Sequence, residues 1–107
     1  MQYKSFVACI YLENGKAIKG FQDKTVVSEE SVSLVEYYND QGFDQILVFD
    51  LSVSDEAHEE ALLTIKKMCD ISQIPIYGAG NIRRMEDVKK LLYAGCKKAI
   101  LNFSKYC

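Results

Sequence analysis

Several residue types are scarce in this 107-residue sequence, which contains no tryptophan, one proline and one histidine. A single histidine excludes a metal site built from several histidines of this chain. No apolar run approaches the roughly 20 residues that a membrane-spanning helix needs. The first five residues lack the layout of a secretory signal. We therefore expect a cytoplasmic protein with no membrane partner.

Cysteines are also few and widely scattered along the chain. None of them forms a Cys-x-x-Cys pair, which argues against structural zinc and against a redox motif. Reduced thiols in a cytoplasmic protein are the simplest interpretation. The sequence therefore predicts neither a metal nor another cofactor, and Cys9 is expected in the core. The four cysteines are Cys9, Cys69, Cys96 and Cys107.

Neither sign of charge is in large excess, since the chain has 13 basic and 15 acidic residues and a formal net charge of −2. This balance gives no basic surface for nucleic acid or for an anionic membrane. A phosphate site in this chain must therefore be local, built from backbone N–H groups and one or two cations.

Short apolar runs alternate with amphipathic segments over the whole chain. The alternation predicts parallel strands joined by right-handed crossover helices. A turn at residues 13–16 and a short hairpin arm at 16–21 follow the first run, and a polar loop then extends to Glu30. Predicted strands are residues 6–12, 45–51, a run that begins at Ile74, and 98–103. Predicted helices are residues 31–41 and 55–71, and a third helix is defined by Met85, Val88, Leu91 and Leu92 and closed by Gly95.

The third run, Ile74–Ile82, is the most informative stretch for function. Pro75 suits the first residue of a buried strand, and the small residues after it permit close approach by a backbone or an anion. Asn81 tolerates a strained turn conformation and still forms hydrogen bonds. A parallel strand that ends in small residues before a helix is one place where α/β folds bind phosphate. The alternative is that these residues only form a tight turn.

His58 lies in the predicted helix 55–71, beside its apolar stripe rather than on it. The helical periodicity therefore predicts a solvated side chain. Ser28 or Ser31 is the expected N-cap of the first helix, and Gly42 suits its C-terminal end.

Several short segments stand in one order and at spacings typical of a known family. They are residues 8–10, 14–16, 19–20, 42–44, 49–50, 74–75, Gly80, 82–83, 86–88, 94–95 and Asn102. On these segments the sequence from Phe6 to Phe103 resembles the N-terminal half of the histidine-biosynthesis (βα)8 barrels. These are the cyclase subunit of imidazole glycerol phosphate synthase, which is the closer match, and phosphoribosylformimino-aminoimidazole carboxamide ribotide isomerase. The resemblance implies a parallel (βα)4 half of a TIM barrel, a single domain over residues 1–107, and lyase (cyclase) or isomerase chemistry.

The resemblance also implies roles for individual residues. Asp50 and Lys19 match positions at the active-site mouth, and Tyr11 stands where the family has its catalytic aspartate. A phenol with an ordinary pKa near 10 is a poor substitute for a carboxylate near neutral pH. The family's second catalytic aspartate and main second phosphate site belong to a C-terminal half that this chain lacks. The implied phosphate ligands are Gly80, Asn81, Ile82, Arg83 and Asn102, and the implied partner is a glutaminase subunit.

Four parallel strands leave two open edges and one face of the sheet without helices. We expect this face to be apolar, with Val7, Cys9, Ile46 and Val48 among the residues that helices cannot all cover. Three arrangements remain open: a homo-oligomer of half-barrels, a fragment of a longer protein, and a flavodoxin-like sandwich.

Three functions follow from these observations. The first is a cyclase-like enzyme, which Tyr11 disfavours. The second is a module that binds a phosphoribosyl-type phosphate without turnover. The third is a self-associating half-barrel whose role is the scaffold itself.

Overall fold

The computed structural model describes residues 5–20, 22–82 and 84–100. One six-stranded sheet runs in the order β3-β2-β1-β4-β5-β6. Strands β1, β4, β5 and β6 are parallel neighbours, and β2 and β3 form an antiparallel arm beside β1. The predicted alternation is confirmed, although residues 101–103 of the fourth predicted strand lie outside the described residues. The elements are β1 (Val7–Glu13), β2 (Lys16–Ile18), β3 (Val26–Ser28), α1 (Ser31–Asp40), β4 (Gln45–Asp50), α2 (Asp55–Ile71), β5 (Ile76–Ala79), α3 (Met85–Ala94) and β6 (Lys98–Ile100).

The parallel strands follow one another in chain order, and their connecting helices form one layer. Helix α1 packs against α2, and α2 packs against α3. A flavodoxin-like sheet instead reverses its strand order and carries helices on both faces. The flavodoxin-like alternative is therefore wrong, and the chain is half of a TIM barrel.

Strand register decides which apolar residues the helices cover. Ala8 pairs with Ile46, and Ile10 pairs with Val48, and all four are buried beneath the helix layer. Their neighbours point to the other side, because successive side chains of a strand alternate between faces. The expectation that Ile46 and Val48 belong to the face without helices was therefore wrong.

The second face of the sheet is the open face, which we define by Val7, Cys9, Tyr11, Leu47 and Tyr77. Val7 is 44% exposed, and Cys9 is exposed rather than in the core as expected. Among the described residues, no helix lies on this face. The prediction of an apolar face without helix cover is confirmed, but with a different set of residues.

Strand β3 replaces part of the polar loop that the sequence predicted. Ala17 pairs with Ser28, and Ile18 pairs with Val26, so pairing with β2 supplies a structure that the local pattern did not indicate. The N-cap of α1 is Glu30, without a side-chain hydrogen bond. Ser31, one of the two expected caps, instead donates its hydroxyl to Gly15 O at 3.0 Å.

Helix α2 has the bounds that the sequence predicted. Ser54 caps it by accepting a hydrogen bond from Ala57 N at 3.1 Å. Ile65 and Met68 face the sheet and are fully buried. In the described part of the chain, no helix is long and apolar enough to cross a membrane.

Two leucine-sized side chains on α2 provide a test of the helix layer. Ile65 is 0% exposed, whereas Leu63, two residues earlier, is 62% exposed. Ile65→Ala should lower the free energy of unfolding by about 2–5 kcal/mol, because it leaves a cavity in the core. Leu63→Ala should change it by less than about 0.5 kcal/mol. Urea denaturation measures both, and equal losses would contradict this packing.

Candidate functional site

Two loops meet at the carboxyl end of the parallel sheet, one after β4 and one after β5. Gly80 has φ +82°, and a Cβ there would lie 2.5 Å from Asp50 O and 2.9 Å from Asp50 N. No side chain fits in that space, so glycine allows the two backbones to touch. The close backbone approach predicted at Gly80 is confirmed.

Asn81 joins the same two loops through its side chain. Its φ is +49°, the strained turn conformation that the sequence predicted. The amide Nδ2 donates to Ser52 O at 2.7 Å and to Ser52 Oγ at 2.8 Å. This Asn81–Ser52 bridge stands between two cavities.

The first cavity, which we call the Gly80 cavity, has a volume of about 290 Å³. Lys24, from the loop between β2 and β3, contributes a cation to its wall. The Lys24 ammonium pairs with the Glu13 carboxylate at 2.6 Å, and both side chains are partly exposed. Lys24 therefore lines the same cavity as Gly80 and Asn81 of the small-residue loop. The lining residues are Lys24, Phe49, Asp50, Leu51, Ser52, Gly80 and Asn81.

The second cavity, the His58 cavity, has a volume of about 330 Å³ and opens between the amino ends of α2 and α3. Its wall is almost entirely polar or charged, which suits water or a polar group better than an apolar ligand. The lining residues are Ser52, Val53, Ser54, Asp55, His58, Asn81, Arg84 and Asp87.

Asp50 turns towards the helix layer and not towards the open face. It is 3% exposed, its Oδ1 accepts the Ser52 N–H at 2.9 Å, and its Oδ2 lies 2.5 Å from His58 Nδ1. Only 16% of the His58 side chain is exposed. The prediction of a solvated histidine was therefore wrong. The partner of His58 is Asp50 on the preceding strand, and the periodicity of a helix does not show which residue of a neighbouring strand will contact it.

The other ring nitrogen of His58 faces a second buried carboxylate. Nε2 lies 3.8 Å from Asp87 Oδ1 and is buried without a hydrogen bond among the described residues. Asp87 also accepts the Arg84 N–H at 3.1 Å, which caps α3. Because buried carboxylates need a compensating charge or donor, this imidazole ties β4, α2 and α3 together.

The other residues implied by the resemblance are dispersed. Tyr11 lies on the open face, where its ring stacks on Phe49 at 4.9 Å with an interplanar angle of 9°. Tyr11 and Asp50 thus belong to opposite faces, because Tyr11 pairs with Phe49 and Leu12 pairs with Asp50. Lys19 is exposed on the arm and lines neither cavity.

Of the implied phosphate ligands, Gly80 and Asn81 line the Gly80 cavity. Ile82 is half-buried beside them, and Arg83 and Asn102 lie outside the described residues. Sequence reasoning missed Lys24, because one lysine in a polar loop carries no signal until β3 is placed. Within the described ranges, no group of three or more His, Cys, Asp or Glu side chains could hold a metal ion.

The fold and this end of the sheet define half of a (βα)8 barrel with polar cavities at its strand ends. The family described as "Histidine biosynthesis protein" matches residues 5–106, and the chain belongs to that family. The chain is 29% identical over 106 residues to "Imidazole glycerol phosphate synthase subunit HisF" of Exiguobacterium sibiricum. It is 30% identical over 105 residues to the protein of the same description from Lysinibacillus sphaericus. Each alignment covers 97% of this chain and 42% of the relative, so the chain spans less than half of their length.

Removal of the imidazole should expose its role in holding Asp50. His58→Ala should destabilise the protein by about 3 kcal/mol, because it removes the hydrogen-bond partner of a buried carboxylate. Combined with Asp50→Asn, it should show a coupling energy of about 1–3 kcal/mol in a double-mutant cycle. Glu60→Ala, at an exposed position of the same helix, is the matched control. Additive effects in urea denaturation would contradict the pairing.

Proposed function

We propose that this chain binds the phosphate group of a phosphoribosyl-type metabolite in the Gly80 cavity. The observation that carries the proposal is the position of Lys24, which lines the same cavity as Gly80 and Asn81. That loop is where the family resemblance implies a phosphate. The printed names of both relatives refer to imidazole glycerol phosphate, a phosphate ester, which supports the phosphate part of this ligand.

The electrostatics favour a local site of this kind. The net charge of −2 gives no long-range attraction for an anion, so a neighbouring cation must provide it. The Lys24–Glu13 pair is partly exposed, and such pairs contribute at most about 1 kcal/mol. A phosphate can therefore replace the Glu13 carboxylate as the partner of Lys24 at little cost in free energy. Its charge-assisted hydrogen bond to Lys24 is stronger than the exposed ion pair that it replaces.

The size of the cavity fits part of a ligand. About 290 Å³ is at the lower end of the range of small-molecule sites. It accommodates a phosphate with an attached sugar, while the remainder of the metabolite extends over the strand ends.

Catalysis by this chain alone is not part of the proposal. Tyr11 is not a carboxylate, and the Asp50 carboxylate is directed at His58 beneath the helix layer. A catalytic role for Asp50 with Lys19 would require Asp50 to leave that hydrogen bond. We infer a binding module of the cyclase type, located in the cytoplasm. A glutaminase partner stays a prediction.

Two lysines provide a matched test of the phosphate site. Lys24 and Lys16 each pair with a surface glutamate, at 2.6 and 3.3 Å, but only Lys24 lines the Gly80 cavity. Lys24→Ala should weaken binding of ribose 5-phosphate about tenfold, the effect of losing one charge-assisted hydrogen bond. Lys16→Ala should leave it unchanged. Calorimetric titration measures both, and equal affinities for the two variants would refute the assignment.

A second candidate function, self-association, rests on the open face. Val7 is 44% exposed there, and Cys9 on the same strand is also exposed. No described helix covers the apolar side chains of this sheet face. Their burial against a second set of strands would remove them from water and is therefore favoured. We propose that a second copy of this half-barrel provides the cover. The C-terminal half of a longer protein is the alternative, since the chain spans 42% of its relatives.

Charge placed on the open face tests self-association. Val7→Lys should raise the dissociation constant of the dimer at least about tenfold, because an unpaired charge in an interface costs roughly 2 kcal/mol or more. Val53→Lys, in the exposed loop after β4, should leave it unchanged. Analytical ultracentrifugation measures the masses. A monomer at every concentration for the unmodified chain would exclude this function.

A further inference from the structure

Two cysteines that are distant in sequence meet at the amino end of the parallel strands. Cys69 lies near the end of α2, and Cys96 follows Gly95, the C-cap of α3. Gly95 has φ +116°, and a Cβ on it would lie 2.8 Å from Cys69 Cβ and 3.4 Å from Cys69 Sγ. The backbone of residue 95 therefore rests directly on Cys69, and Cys96 is the next residue.

The two thiols interact with each other and differ in their environments. Both are free, Cys69 packs against the buried cluster that contains Cys96, and each thiol shifts the pKa of the other. Cys96 is buried, whereas Cys69 is half-buried and lines a surface cavity of about 300 Å³. A small oxidant therefore reaches Cys69 first.

The protonation order follows from the same contact. The hydrogen bond from Cys96 lowers the pKa of the Cys69 thiol below its usual value. The same bond and burial raise the pKa of the Cys96 thiol. Cys69 is thus the group that becomes a thiolate, and the thiolate is the form that reacts with oxidants.

We propose that Cys69 and Cys96 form a redox-reactive pair that a peroxide converts into an intramolecular disulfide. The Cys69 thiolate attacks one oxygen of hydrogen peroxide and breaks the O–O bond, which gives a sulfenic acid and hydroxide. The Cys96 sulfur then attacks the sulfenic sulfur, forms the S–S bond and releases water, with its thiol proton going to the leaving hydroxyl. Two thiols are oxidised by two electrons, and one peroxide is reduced.

The consequence of this disulfide is a covalent link between the end of α2 and the start of β6. The closed loop contains all of β5 and α3, including Gly80 and Asn81. Both cavities lie at the opposite end of the strands, beyond the reach of the new bond. Oxidation should therefore restrain the unfolded chain without altering the candidate ligand site, and it does not depend on the proposed function.

Peptide mapping tests the proposal on the full chain. The reduced protein is treated with hydrogen peroxide, its remaining thiols are alkylated, and it is digested with trypsin. Cleavage after Lys67, Arg83, Lys90 and Lys97 places Cys69 in residues 68–83 and Cys96 in residues 91–97. These two peptides should become linked as the main product, with the linkage lost on reduction by dithiothreitol. Cys9 and Cys107 fall in separate peptides and serve as internal controls.

Single cysteine variants distinguish a specific Cys69–Cys96 disulfide from unspecific oxidation of the cysteines. Cys9→Ser should form the linked peptides at the rate of the unmodified chain, whereas Cys96→Ser should form none and should accumulate sulfenic acid at Cys69. Thermal melting of reduced Cys96→Ser and Cys69→Ser checks that each variant folds. The proposal is overturned if Cys96 stays alkylatable while Cys69 oxidises, or if the main disulfide joins Cys9 or Cys107 between chains.

Discussion

One-sided cover of the parallel sheet is the constraint on which the rest of this structure depends. Helices α1, α2 and α3 form one layer, so only alternate residues of each strand reach a closed core. The pairing of Ala8 with Ile46 sets that alternation, and a shift by one residue would exchange the two faces. The covered face contains the stabilising apolar packing, and the open face leaves Val7 and Cys9 exposed.

The same division separates groups that a complete enzyme would need together. Asp50 lies on the covered face, where His58 holds it at 2.5 Å, and Tyr11 stacks on Phe49 on the open face. A buried carboxylate beside an imidazole contributes to cohesion between strand and helices. The Asp50 carboxylate is thus engaged inside the fold, and Lys24 lines the separate Gly80 cavity at the same end of the sheet.

The two ends of the parallel strands differ in the segments that meet there. The carboxyl end brings loops from several strands together and is where barrel folds place their ligands. The amino end joins helix ends to strand starts, and there Gly95 presses against Cys69. Glycines mark both ends, because Gly80 and Gly95 each stand where a Cβ would collide with a neighbouring segment.

Local patterns in the sequence determined the alternation of parallel strands and helices, the bounds of α2 and the tight turn at Gly80, because these depend on neighbours within a few residues. Tertiary structure alone decided the rest. The cover of Ile46, the burial of His58, the pairing of Val26 with Ile18 and the place of Lys24 at the Gly80 cavity all arise from residues far apart in sequence. Helical and strand periodicity record which side of one element is apolar, but not which distant charge or strand will lie against it.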